Sequence, residues 1–137
     1  MRESFFATLG PLQDVRALDL YAGSGALGIE ALSRGAAHVV FVERAADAIA
    51  SLRRNLAELG LRDRSRVLRS DARRGIRQLG RRGERFGLIL MDPPYGSGEA
   101  ETAMAAMLDA RILSSDGALV VESSRHHPPG EVVGLER

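Results

Sequence analysis

The chain has 137 residues, 45% apolar and 27% charged, with a formal net charge of +1, which is one domain's worth of sequence with apolar side chains enough for one compact core. It contains no cysteine, which excludes disulfides, thiolate zinc sites, iron–sulfur clusters and cysteine nucleophiles; with three histidines as the only soft ligands, no metal is expected. No apolar run reaches the ~18 residues of a membrane span and the start at Met1-Arg2-Glu3 has no signal-peptide layout, so the expectation is a cytoplasmic protein without membrane contact.

In chain order, Met1–Leu9 fits a short amphipathic helix through Phe5, Phe6 and Leu9. A strand at Arg16–Tyr21 leads through a glycine turn into a helix over Ala26–Arg34, which Gly35 closes because glycine accepts the left-handed cap conformation. The next strand, His38–Val42, ends at Glu43. A helix over Ala45–Leu59 follows, closed by Gly60, with Ile49, Leu52, Leu56 and Leu59 predicted as its buried stripe and Arg53, Arg54 and Glu58 in water. Arg66–Arg69 is a third strand, followed by a short helix at Ala72–Leu79.

Phe86–Met91 is the fourth strand. Glu99–Ala110 is predicted helical, with Ala100, Met104, Met107 and Leu108 inward as packing residues. Ala118–Glu122 is the fifth strand. His126-His127-Pro128-Pro129-Gly130 is a loop, since consecutive prolines stop regular structure, and two adjacent histidines there make no metal ligand set. Glu131–Leu135 begins a sixth strand. Strands alternating with helical segments predict an α/β fold: an open, mostly parallel, doubly wound sheet with helices on both faces. An edge that ends at the sixth strand has no partner, so the last strands are expected to be missing and the chain to be a fragment.

All 19 basic residues are arginine. Ten of them, from Arg62 to Arg85, face only Asp63, Asp71 and Glu84, a local charge of +7; the remainder carries −6. Such a cluster suits phosphate tracking on nucleic acid, and equally a solvated surface.

Three turns carry chemistry. Gly23-Ser24-Gly25-Ala26-Leu27-Gly28 follows a strand and opens a helix, and Glu43 ends the next strand. This is the layout of a nucleoside-binding turn, in which glycines admit close approach and the acid accepts from ribose hydroxyls. Asp19, inside the strand, would repel a pyrophosphate and suits a cationic ligand such as a methionine ammonium; a turn-capping role satisfied by backbone amides is the plainer reading. Asp71, after the third strand, can accept from an adenine amine or cap the next helix. Finally, Asp92-Pro93-Pro94-Tyr95 follows the fourth strand. Two prolines fix the backbone and leave carbonyls free, while Asp92 offers an acceptor and Tyr95 a flat face, a match for a planar base with an exocyclic amine.

On these motifs the sequence resembles the class I S-adenosylmethionine-dependent methyltransferases that carry Asp/Asn/Ser-Pro-Pro-Tyr/Phe. With Arg2-Glu3-Ser4-Phe5-Phe6, Ser33-Arg34-Gly35-Ala36-Ala37 and Phe41-Val42-Glu43 added, it resembles the bacterial 16S ribosomal RNA guanine-N2 methyltransferases, truncated at both ends. That resemblance implies S-adenosyl-L-methionine as cofactor, S-adenosyl-L-homocysteine as product and a monomer acting on 16S rRNA or the assembling small ribosomal subunit, of the guanine-966 type. It implies cofactor contacts from Asp19, Tyr21, Ala22, Gly23, Ser24, Gly25, Gly28, Glu43, Arg44, Asp71 and Ala72, and catalysis at Asp92, Pro93, Pro94 and Tyr95. A DNA adenine-N6 or cytosine-N4 methyltransferase, a nucleotide-dependent oxidoreductase and a non-catalytic cofactor- or RNA-binding fragment are the competing readings.

Overall fold

A computed structural model describes residues 9–94 and 96–122 and the backbone of 131–133. The helix expected at Met1–Leu9, Tyr95 with its expected stacking role and the loop expected at His126–Gly130 therefore lie outside the described residues, Leu9 apart. Strands β1 (Arg16–Leu20), β2 (His38–Glu43), β3 (Ser65–Arg69), β4 (Phe86–Met91), β5 (Leu113–Val121) and β6 (Glu131–Val133) form one sheet in the order β3-β2-β1-β4-β5-β6. The first five run parallel and β6 is antiparallel to β5. Helices α1 (Ala26–Ser33), α2 (Ala46–Glu58), α3 (Ala72–Arg81) and α4 (Glu99–Ala110) link them, with a 3-10 turn at Arg62–Arg64.

The sheet is doubly wound because its strands are apolar on both sides. Along β1, Leu18 and Leu20 join the core beneath α3 and α4, with Ile76, Leu79 and Met107. Ala17 joins the opposite core beneath α1 and α2, with Phe41, Leu32, Leu52 and Leu56. Asp19 shares the parity of Ala17, so its carboxylate enters the α1 side of the interior, level with Phe41 on β2 and Leu90 on β4. The order places a switch point between β1 and β4, where successive crossovers leave in opposite directions and a crevice opens above the carboxyl ends of the strands.

Gly35 (φ 108°) and Gly60 (φ 71°) stop their helices as expected. Two helix stripes differ from the periodicity. Leu59 is the α2 C-cap and 59% exposed, because the helical path ends before it can reach the sheet. On α4 the buried pair is Ala103 and Met107, four residues apart, and Leu108 is 45% exposed, about 100° further round the helix than Met107. β5 begins five residues earlier than expected: Phe86 pairs with Leu113 and Leu88 with Ala118, so Ser114–Gly117 form a bulge inside the strand. Their turn-like composition disguises the strand's start.

Candidate functional site

The switch-point crevice is built from the ends of all five parallel strands, and each contributes an acid. Glu43 closes β2, Asp19 sits one residue before the end of β1, Asp71 follows β3, Asp92 follows β4 and Glu122 follows β5. Among the described residues the one ion pair in this set is Asp71 Oδ2 with Arg74 Nε, a loose 3.9 Å. Glu43, Asp71, Asp92 and Glu122, with Asp19 buried beneath them, outnumber the nearby cations Arg44, Arg73 and Arg74, a balance that favours a positively charged ligand.

The glycine turn is fixed from three sides. Gly23 (φ 59°) and Gly25 (φ 94°) are left-handed. Gly23 N donates to Glu43 Oε1 at 2.8 Å, and the other oxygen of Glu43 accepts from Ala45 N at 2.9 Å. Ala22 N continues the ladder to Val42 O at 3.1 Å, while Asn55 Nδ2 of α2 donates to Ser24 O at 3.1 Å. Glu43 thus ties the glycine turn with one oxygen and the start of α2 with the other, each keeping a lone pair for a further donor. A Cβ on Gly23 would meet no atom within 4 Å, so space is open over the turn.

Asp19 is 1% exposed, and its Oδ2 accepts from Gly28 N at 2.9 Å. The capping reading of this carboxylate is therefore realised, from beneath the helix start. Burial raises its pKa to about 7 against the lowering effect of the Gly28 hydrogen bond, with the charges of Asp92 and Glu43 adding to the rise. Between about pH 4 and 7 the folded chain holds a proton here that the unfolded chain has released, so this group's contribution to stability is lost as pH rises through that window. His38 acts oppositely: burial, Arg16 and Arg66 lower its pKa, so its contribution grows with pH up to the unfolded value. The expected result is that Asp19→Asn, compared with the unmodified chain by thermal unfolding from pH 5 to 8, removes a decline in Tm. Equal slopes for the two proteins would reject the ionisation.

Asp71 is the α3 N-cap, accepting from Arg74 N at 2.9 Å. With Ala72, Tyr21, Ser97, Glu99 and Thr102 it lines a pocket of about 120 Å³. Tyr21 (φ 61°) donates its hydroxyl to Glu99 O at 3.4 Å, and burial and Glu99 hold the phenol above its ordinary pKa. Arg44 is exposed and close enough to Tyr21 to act on it electrostatically.

At the end of β4, Asp92 is half-buried, Pro93 buried and Pro94 exposed. Ser97 Oγ donates to Pro94 O at 2.8 Å and accepts from Glu99 N at 3.2 Å, which folds the chain from the proline pair into α4. Desolvation and the neighbouring Glu122 raise the Asp92 carboxyl to about 6. Glu122 is bound to this strand end through its backbone, N to Met91 O at 2.8 Å, and its buried Oε1 meets no donor. Sequence reading passes over Glu122 and Asn55; the recurrence of an acid at every other strand end is the signal that points to Glu122.

The chain matches the family described as conserved hypothetical protein 95 over residues 1–136. It is 40% identical over 135 residues to YlbH of Bacillus subtilis strain 168, provisionally named an rRNA methyltransferase, covering 98% of this chain and 73% of that protein. It is 36% identical over 124 residues to ribosomal RNA small subunit methyltransferase D of Escherichia coli K12, covering 90% of this chain and 61% of the relative. A solved structure of a conserved hypothetical protein from Streptococcus pyogenes superposes with a TM-score of 0.83 at 32% identity, over 93% of this chain and 79% of that one. The chain spans under two thirds of the E. coli enzyme's length and about three quarters of YlbH. With a family match over nearly every residue and a relative at 40% identity, the chain belongs to the conserved hypothetical protein 95 family, that of the small-subunit methyltransferase D-like proteins.

Proposed function

We propose that this protein transfers a methyl group from S-adenosylmethionine to the exocyclic N2 of a guanine in small-subunit ribosomal RNA. The observation that carries the reading is an acid at the end of each parallel strand, with a glycine turn at the centre of the set and Asp92-Pro93-Pro94 beside it. The carboxylates favour a ligand with sulfonium and ammonium charges over a pyrophosphate, which speaks against a nucleotide-dependent oxidoreductase. The E. coli relative is named a small-subunit rRNA methyltransferase, which supports the RNA substrate.

The residues present fit the cofactor: open space lies over Gly23, Glu43 keeps lone pairs for ribose hydroxyls, and Asp71 and Ala72 border a pocket of adenine-like dimensions. Asp19, enclosed beneath the turn, holds the start of α1 through Gly28 N and supports the cofactor site from below rather than by contact. Bound, the cofactor supplies an electrophilic methyl group and leaves as S-adenosylhomocysteine. Asp92 and the Pro93 carbonyl accept the amine hydrogens of an unstacked base, orienting the nitrogen lone pair. As the N–C bond forms the amine nitrogen becomes acidic, and its proton passes to Asp92 or to water. Guanine is favoured over adenine and cytosine by Glu122. Guanine presents a ring N–H beside its amine, where the other two present an acceptor, and a second carboxylate next to Asp92 suits two adjacent donors.

Calorimetric titration with S-adenosylmethionine, S-adenosylhomocysteine and NADH tests the cofactor, with saturable binding of the first two alone expected. Binding of NADH alone would overturn the reading. Nucleoside analysis of undermethylated small-subunit rRNA after reaction then separates N2-methylguanosine from N6-methyladenosine and N4-methylcytidine.

A further inference from the structure

The structure divides the arginines into two populations. Arg16 and Arg66 both pair with Glu84, at 2.9 and 2.8 Å, and Arg34 pairs with Glu30 at 2.8 Å. Arg64 donates to Leu32 O and Ala36 O, tying the 3-10 turn to the end of α1. These guanidiniums are structural. Arg53 and Arg54 on α2 and Arg62 before β3 behave differently: all three are exposed, and among the described residues they make no hydrogen bond or ion pair, although Glu58 and Asp63 are close in sequence.

The three converge on one groove. It lies between α2 and β3, has a volume of about 340 Å³, and is floored by Leu56, Ala57 and Val67. Ser65, also at the groove, turns its hydroxyl away to Leu61 O and Arg62 O at 2.9 and 3.3 Å. Among the described residues β3 is the sheet edge, paired with β2 alone, so backbone donors on its outer side are unused. Three like charges around one concavity repel each other, and among the described residues no carboxylate lies within ion-pairing distance of them. An anionic occupant does, and guanidinium forks match phosphate oxygens bidentately. The apolar floor suits the face of a ribose or an unstacked base, and the volume is at the lower end of ligand pockets, about 300–1,000 Å³.

We propose that this groove is a second RNA site, gripping the phosphodiester backbone of single-stranded RNA away from the reacting base. The inference rests on the RNA-substrate reading above and adds an anchor to it. β3 itself leads from the groove at Ser65 to the rim at Asp71, about 20 Å at ~3.3 Å per residue. One RNA strand can therefore engage both, and the anchor raises the local concentration of the target base at the rim.

The test uses a fluorescent oligouridine of about twelve nucleotides, within the usual span of single-strand sites. Arg53→Gln/Arg54→Gln/Arg62→Gln is expected to weaken binding about tenfold or more at low salt and to flatten the log–log salt slope by about 2, at ~0.7 per phosphate contact. Arg77→Gln/Arg85→Gln/Arg111→Gln removes the same charge from scattered exposed positions and is expected to do neither. The corresponding triple lysine variant keeps the charge but loses the bidentate fork, and is expected to keep the salt slope while binding less tightly than the unmodified chain. In methyl transfer to small-subunit rRNA the groove variant raises KM with kcat unchanged. If the unmodified chain binds neither oligouridine nor rRNA, the RNA reading itself fails. If it binds both and the groove variant matches the scattered-charge variant, or loses kcat at constant KM, the groove is not an anchor while the RNA reading stands. The three substituted arginines are exposed, so unfolding temperatures should agree; Arg62→Gln alone serves as a milder version with the same readouts.

Discussion

Asp92→Ala is expected to slow methyl transfer by ~10²–10³, the scale of removing one preorganised electrostatic partner of a transition state, while leaving S-adenosylmethionine affinity within about twofold. The asymmetry follows from position. Asp92 follows the last residue of β4 and is half-buried, on the opposite side of β1 from Glu43 and the glycine turn it holds. In the proposed reaction its carboxylate meets a positive charge that develops on the amine only as the new bond forms, so its removal is expected to be felt in kcat more than in cofactor binding. Asp92→Asn keeps one carbonyl acceptor and should retain more turnover than alanine. A pH signature accompanies these effects. With the carboxyl raised to about 6, the ionised acceptor is lost as pH falls through that value, and turnover falls with it. Glu122→Gln removes the neighbouring negative charge, so the same limb should move to lower pH. Measured kcat values and calorimetric affinities decide the point. Undiminished turnover in the alanine variant, or a loss that merely tracks lost cofactor binding, would remove Asp92 from the chemistry.

Gly28→Ala is expected to destabilise the fold by about 1–3 kcal/mol, the range for overpacking a filled interior, and to lower Tm on the order of 10 °C for a domain of this size. Gly28 has no positive φ, so backbone strain is not the reason. A Cβ there would overlap the Phe41 ring at Cε2, stand 2.8 Å from its Cζ, and approach Asp19 Oδ2 to 3.0 Å. Phe41 is fully buried at the centre of the α1/α2 core and has nowhere to retreat, and the carboxylate is held by the backbone N–H of Gly28 itself. The overlap is with a specific ring, so Phe41→Leu in the same chain should recover part of the loss, giving a double variant more stable than the sum of the single changes. Strict additivity in denaturant melts would show that the ring is not what the added methyl meets. Gly23→Ala makes a useful contrast, since its Cβ faces open space and only the left-handed backbone resists.

Much of the fold is legible in the amino-acid sequence. β1, β2 and β4 are short segments dominated by apolar residues and buried on both faces, and nothing else competes for such segments. Gly35 and Gly60 announce their helix ends because a left-handed residue is needed where each helix stops. The glycine turn and Asp92-Pro93-Pro94 are read from local backbone constraints, which is why their placement on one sheet edge follows from topology alone. What escaped is what depends on distant partners. Leu59 and Leu108 fit an apolar stripe by spacing, and whether the stripe continues is decided by where the sheet ends. Leu113 begins β5, but Ser114-Ser115-Asp116-Gly117 reads as a turn, and only pairing with Phe86 draws it into the strand. Asn55 reaches back 31 residues to the glycine turn. The arginines of the Arg62–Arg85 cluster look alike in sequence. Glu84 selects Arg66 from them, and the carbonyls at the end of α1 select Arg64.

The central position of β1 also sets the order in which the molecule can be completed on the ribosome. Ala17 faces Val39 on one side and Leu88 on the other. The first partner follows within about twenty residues, but the second emerges roughly seventy residues later, about 4–14 s at ~5–20 residues per second of synthesis. For that interval the hydrogen-bonding edge of a strand destined to be buried from Ala17 to Leu20 waits without its partner. A nascent chain arrested before Phe86 should hence recruit holdase chaperones, and release them once β4 has cleared the exit tunnel.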